Sequence, residues 1–270
     1  MAATLRQPAV AGYFYPGKRD ALLREVTQYT SVSGEKIRAL GCVVPHAGYI
    51  YSGHVAGAVF ARLELPRRFI ILCPNHTGRG EPLAIMSEGG WLTPLGEVAV
   101  DRELAAQLKH HFKLLTEDPG AHLGEHALEV QLPFLQHLVR DFTFVPIAVG
   151  VGNYPVLAAL GEAMATTLAA VSEPVLIVAS SDMNHYESDA RTRVKDKKAI
   201  DQLLALDPRG LYDVVVKEDI SMCGFGPAVA MLTAAKRRGA HAAELIKYAT
   251  SGDVSGERDK VVGYAGIVVS

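Results

Sequence analysis

Short apolar runs alternate with longer amphipathic stretches along the chain, which predicts strands and helices in turn. Phe69–Cys73, Phe142–Val149 and Val175–Ala179 are continuous apolar runs of strand length, and Ile37–Val44 reads as another strand. Leu83–Met86 and Glu97–Val100 predict two shorter strands flanking Gly89-Gly90-Trp91, and Leu245–Thr250 and Val261–Val269 close the sheet. Between them, Ser52 or Gly53 opens a helix that ends near Leu63. Asp101 caps the next helix, with Glu103 in its first turn, where a negative charge suits the helix dipole. Glu125–Val139 carries apolar residues at helical spacing, interrupted by Pro133. Tyr154–Val171, Asp189–Leu206 and Gly226–Arg238 read as further helices, with a shorter one from Pro208. The alternation gives an α/β fold of three layers, α/β/α, whose central sheet is mixed but mostly parallel with helices on both faces. Pro82–Val100 lacks a crossover helix, so antiparallel pairing is expected there. The polar stretch from Gly252 to Lys260 is expected to be a mobile loop. With no repeat or long linker, residues 1–270 read as one domain.

Composition narrows the class. The chain has 270 residues, 49% of them hydrophobic, and a domain of that size needs neither a disulfide nor a metal to hold its core. Its 27 basic and 29 acidic residues are interspersed, which argues against a nucleic-acid footprint. No apolar run approaches the roughly 20 residues of a membrane helix. The opening residues Met1 to Pro8 are too polar for a secretory signal, and Cys42, Cys73 and Cys223 cannot pair off evenly. A reduced, cytoplasmic protein is expected.

The histidines change the picture. Three apolar strands end in similar ways: Val44-Pro45-His46-Ala47-Gly48, Cys73-Pro74-Asn75-His76-Thr77-Gly78, and Ser180-Ser181-Asp182-Met183-Asn184-His185. Ligands of open α/β sheets bind beyond the carboxyl ends of the strands, so three imidazoles delivered to that edge can share one site. Cys223 lies in Met222-Cys223-Gly224-Phe225-Gly226-Pro227, directly before a helix whose N-terminus would favour a thiolate, as a metal ligand or a nucleophile. Cys42 and Cys73 lie inside strands and read as core. On a helix, His126 and Glu129 would share a face with Glu125, but the H-E-x-x-H zinc signature is absent, so a role in orienting a ligand or substrate is expected. His54, His110, His111, His137 and His241 have no comparable setting.

At these residues the chain resembles the Memo family, which shares its fold with the class III extradiol ring-cleaving dioxygenases. The matching blocks include Arg6 to Pro16, Pro45 to Gly53, Gly124 to Leu135, Ser180 to His185, Cys223-Gly224 and Gly263 to Gly266. The resemblance implies that His46, His76 and Cys223 stand where family members bind iron or copper, and that His185 lines the pocket near the place of a catalytic acid/base histidine. The ring-cleaving enzymes use a carboxylate where this chain has Cys223. A thiolate is softer, admits copper(I) or zinc, and is itself oxidisable, so catechol cleavage does not carry over. The family also suggests a pathway link to AMMECR1-type and radical-SAM proteins.

Three functions are compatible with this sequence. In a redox enzyme, Fe(II) sits on His46, His76 and Cys223, His185 moves a proton, and Asp182 or Glu129 orients a histidine. In a binding protein, the same pocket takes a metal or a small-molecule or peptide ligand, with Tyr49, Tyr51, Trp91 and Tyr186 as walls. In a metal-free enzyme, Cys223 is the nucleophile and a histidine its base.

Overall fold

A computed structural model describes residues 5–270; residues 1–4, part of the opening segment read above, lie outside it. In chain order the strands are β1 (Leu5–Arg6), β2 (Gly41–Val44), β3 (Arg68–Pro74), β4 (Leu83–Ile85), β5 (Gly90–Thr93), β6 (Gly96–Val100), β7 (Thr116–Glu117), β8 (Thr143–Val149), β9 (Val175–Ser180), β10 (His185–Glu187), β11 (Ala243–Thr250) and β12 (Val261–Val269). The helices are α1 (Arg19–Thr30), α2 (Tyr49–Arg62), α3 (Arg102–His111), α4 (Leu132–Leu138), α5 (Tyr154–Ala169), α6 (Asp189–Leu204), α7 (Pro208–Lys217), α8 (Phe225–Arg237) and α9 (Gly252–Ser255). None of them is long and apolar enough to cross a membrane.

The strands form one mixed sheet in the order β1-β5-β6-β8-β3-β9-β2-β12-β10, with β11 beside β12 and β4 beside β8. Its centre, β8-β3-β9-β2, is parallel throughout. Side chains there alternate between two cores with the period of two that a strand imposes. Ile70, Leu72, Val145, Ile147 and Ile177 point to one face, where α3, α5, α6, α7 and α8 pack. Phe69, Ile71, Phe144, Leu176 and Val178 point to the other, under α1, α2 and α4. The expected three layers are present, and Cys42 and Cys73 are core residues. Antiparallel pairing occurs where no crossover helix was available, between β5 and β6, and β4 also runs antiparallel to β8.

The structure departs from the sequence reading in several places. The strand expected from Ile37 begins at Gly41, Ile37 making only a bridge to Leu63. Helix α2 starts at Tyr49, because extended Gly48 serves as its N-cap and accepts from Tyr51 and Ser52. The stretch from Glu125 to Val139 is not one helix: a turn and a single 3-10 turn over Glu129–Gln131 precede α4, with Pro133 in the first turn of α4, where proline is tolerated. Gly252–Lys260 holds α9, and Asp253 ties it down by accepting from Thr250 N and pairing with Arg193 and Arg258. Helix α1 escaped the sequence reading because only Leu22 and Val26 mark its buried side.

The segment before α1 is anchored by a buried ion pair. Arg6 is 1% exposed and reaches the fully buried Glu129 carboxylate, which also accepts from Ala9 N, Val10 N and the Tyr15 hydroxyl. Arg6 lies over the Trp91 ring, 4.2 Å from its centroid. Removing one partner of such a pair strands a charge in the core. Glu129→Ala is therefore expected to lower unfolding free energy by about 3–5 kcal/mol in urea denaturation. A loss below about 1 kcal/mol would contradict this role.

Candidate metal centre

The strand order places β3, β9 and β2 side by side and parallel, with Val44 opposite Ser180 and Leu72 opposite Ala179. The segments carrying His46, His76 and His185 therefore leave the sheet at one edge. After β2 the chain enters α2 on one face, and after β9 and β10 it enters α6 on the other. Such a change of side opens a crevice at the strand ends. One donor atom from each of His46, His76 and Cys223 lies within 4.8 Å of the others.

His46 is 1% exposed and its tautomer follows from its partners. Ser180 Oγ has one proton, and it goes to the Ala127 carbonyl at 2.6 Å. Gln131 Nε2 donates both to the Pro45 carbonyl and to Ser180 Oγ, each at 2.9 Å. The contact of 2.9 Å between His46 Nδ1 and Ser180 Oγ must then be a bond donated by the imidazole. That leaves the Nε2 lone pair facing Cys223 Sγ at 3.2 Å. Burial first, then the neighbouring histidines, holds His46 well below the usual imidazole range.

His76 is held in the same sense by a carboxylate. Glu125, fully buried, accepts from His76 N at 2.6 Å and lies 3.0 Å from His76 Nδ1. Nδ1 donates to it, so Nε2 again carries the free lone pair. Burial pulls His76 down, but the hydrogen bond and charge of Glu125 outweigh it and the net direction is up. The His126 ring stacks on His76 at 4.9 Å, and its Nδ1 approaches Glu125 at 3.6 Å. His76, Glu125 and His126 also bring donor atoms within 4.8 Å of one another, but the Glu125 oxygens already accept from His76 N, His76 Nδ1 and Ala127 N.

Cys223 arrives from the turn between α7 and α8. Gly224 permits it: a Cβ there would collide with the Ser180 carbonyl and Ser181 Cβ, and Gly224 N donates to Ser181 Oγ at 3.0 Å. The expectation that a helix N-terminus favours the thiolate fails. Burial, followed by the Asp182 carboxylate, pushes the Cys223 thiol up, so without a cation it keeps its proton against His46 Nε2. Asp182 accepts from His46 N at 2.7 Å and is itself pushed up to about 6 by burial.

His185 stands outside the three-donor cluster. Its Nδ1 lies 2.9 Å from the Ser221 carbonyl, which can only accept, so its Nε2 is also free. Tyr51 is in the first turn of α2, partly exposed, and no hydrogen bond ties it to the histidines. Glu129 does not reach them either, because its oxygens serve Arg6 and residues 9–15. Tyr49 and Trp91 are core residues rather than pocket walls, Tyr49 donating to the Val130 carbonyl and Trp91 lying under Arg6. Tyr186 is 74% exposed. The space beside the donors is a cavity of about 270 Å³, walled by Asn75, Val149 to Gly152, Phe225 and Pro227, with no Asp, Glu, Lys or Arg in its lining.

The family described as Memo-like protein matches residues 6–268. The chain belongs to the Memo-like family. It is 44% identical to a MEMO1 family protein of Pyrobaculum aerophilum, with 98% of each chain covered, and 43% identical to one of Methanosarcina mazei, covering 98% of this chain and 99% of that one. An uncharacterized protein of Escherichia coli K12 shares the fold, with a TM-score of 0.58 at 11% identity over 86% of this chain and all of the other.

Residues that the sequence reading passed over in this Memo-like chain are those that fix the histidines. Glu125 was grouped with Glu129 on a presumed helix, whereas the turn separates them. Ser180 and Gln131 carried no signal of their own. Because partners of ligand imidazoles set ring orientation and basicity, Glu125→Gln is expected to weaken metal binding about 10–100-fold while the fold stays intact. Anaerobic metal titration beside a denaturation curve checks this, and unchanged affinity would remove Glu125 from the centre.

Proposed function

We propose that this Memo-like protein is a cytoplasmic, metal-dependent redox protein that binds Fe(II), with copper or zinc as alternative occupants, through His46 Nε2, His76 Nε2 and Cys223 Sγ. The observation that carries the reading is that one donor atom from each of His46, His76 and Cys223 lies within 4.8 Å of the others, while both ring Nδ1 atoms are spent as donors and leave the Nε2 lone pairs for a metal. Two nitrogens and a sulfur suit a first-row metal, and the thiol would release its proton on binding. The metal would supply a redox-active Lewis acid with positions left for a small molecule.

The chain's own residues supply the rest. The cavity beside His76 and Cys223, with no Asp, Glu, Lys or Arg in its lining, suits a small neutral molecule. His185, its Nδ1–H held by the Ser221 carbonyl, offers Nε2 as a proton acceptor beside that centre. Asp182 positions the turn that carries His46.

The metal-free alternative is disfavoured by electrostatics. Proton transfer from Cys223 to His46 runs uphill at both ends, since the thiol is pushed up and the imidazole down. A purely binding role uses the same pocket, and the free His185 Nε2 is what favours turnover over it.

Protein purified without oxygen should carry close to one metal per chain. His46→Ala, His76→Ala and Cys223→Ser should each lose it, whereas His185→Ala should keep the metal and lose oxygen consumption with candidate phenols or thiols. Metal retained in all three ligand variants would sink the centre. Metal bound without oxygen consumption by the wild-type protein would leave binding as its function.

A further inference from the structure

At the opposite end of the sheet, the segments leading into β2, β3 and β9 enclose a cavity of about 360 Å³. Leu40, Leu65, Pro66 and Pro174 give it apolar walls, and Arg38 and Arg238 line it as well. The two prolines bring no N–H, so the walls offer few backbone donors of their own.

The two arginines are unlike most others in the chain. Arg62, Arg68, Arg193, Arg209 and Arg258 all meet carboxylates. Among the described residues no ion pair or side-chain hydrogen bond engages Arg38 or Arg238, and Arg238 Nη1 is shut from solvent without a partner. Glu64, on the rim of the same cavity, is exposed and pairs with neither. Burial pulls Arg238 below the usual guanidinium range, and no nearby acid offsets it. A guanidinium with unused donors in a half-closed space leaves polar groups unsatisfied. Its planar fork matches a carboxylate or a phosphate, which restores those bonds. The apolar walls ask for more than a bare ion.

We propose that this cavity binds a small organic oxyanion, its carboxylate or phosphate held by Arg238 and Arg38 and its apolar body laid against Leu40, Leu65 and Pro66. The site is separate from the candidate metal centre: α8 begins just after Cys223 and Gly224, and Arg238 caps its far end.

The test uses the full-length protein and titrates benzoate, phenyl phosphate, inorganic phosphate and neutral benzyl alcohol by calorimetry. At least one of the two aryl anions should bind more tightly than both inorganic phosphate and benzyl alcohol. Arg238→Met, which keeps the length of the side chain, should weaken that binding about tenfold or more. Arg237→Met, one residue away and exposed, should leave it unchanged, and so should Cys223→Ser. Failure of both aryl anions to bind would overturn the proposal. So would inorganic phosphate binding as well as the tighter of the two, or aryl-anion binding that survives Arg238→Met or is lost in Cys223→Ser.

Discussion

The buried Arg6 guanidinium donates to the carbonyls of His122 and Glu125 and to the carboxylate of Glu129, and so pins both ends of the segment from 122 to 129. That segment and the turn after it are what hold the candidate centre. Glu125 fixes His76, while the Ala127 carbonyl and Gln131 together fix Ser180, which fixes His46. The two histidines follow the consecutive strands β2 and β3, and one short segment later in the chain sets the tautomer of both. Because it is a turn and not a regular helix, it has no ladder of its own to keep it in place. The ion pair over Trp91 does that instead, which explains why a charged pair sits where apolar packing would otherwise serve.

Charge is distributed unevenly across the three donors. His46 is held neutral by burial, His76 is raised by Glu125, and Cys223 is raised by burial and Asp182. A cation would have to displace a proton from sulfur, and from His76 wherever that ring is protonated, so its apparent affinity should climb with pH. The Cys223 proton faces His46 Nε2 at 3.2 Å, and loss of that proton is the event that would convert a hydrogen bond into a shared ligand set.

Much of this was legible in the sequence. The parallel core strands, their period of two and the placement of His46 and His76 after strand ends follow from local pattern. So does Cys223-Gly224 before a helix. What was not legible depends on partners distant in sequence. Glu129 shares helical spacing with His126 on paper, but the chain turns at Leu128, and Glu129 is drawn to Arg6, 123 positions away. Trp91 is aromatic and preceded by two glycines, which reads as a pocket wall until the guanidinium is laid over it. The thiol failed for a related reason. The helix N-terminus was visible, while the enclosure of its sulfur and the approach of Asp182 belong to tertiary structure.

The central claim is that buried acceptors hold His46 and His76 with Nδ1 protonated and Nε2 turned to a common point. Nitrogen NMR of metal-free, histidine-labelled protein tests it most directly, recorded at alkaline pH above the raised His76 titration. Both rings should show a protonated Nδ1 and an unprotonated Nε2, and Glu125→Gln should alter His76 alone. An Nε2-protonated ring at either position would contradict the account, since that nitrogen could not then face a metal.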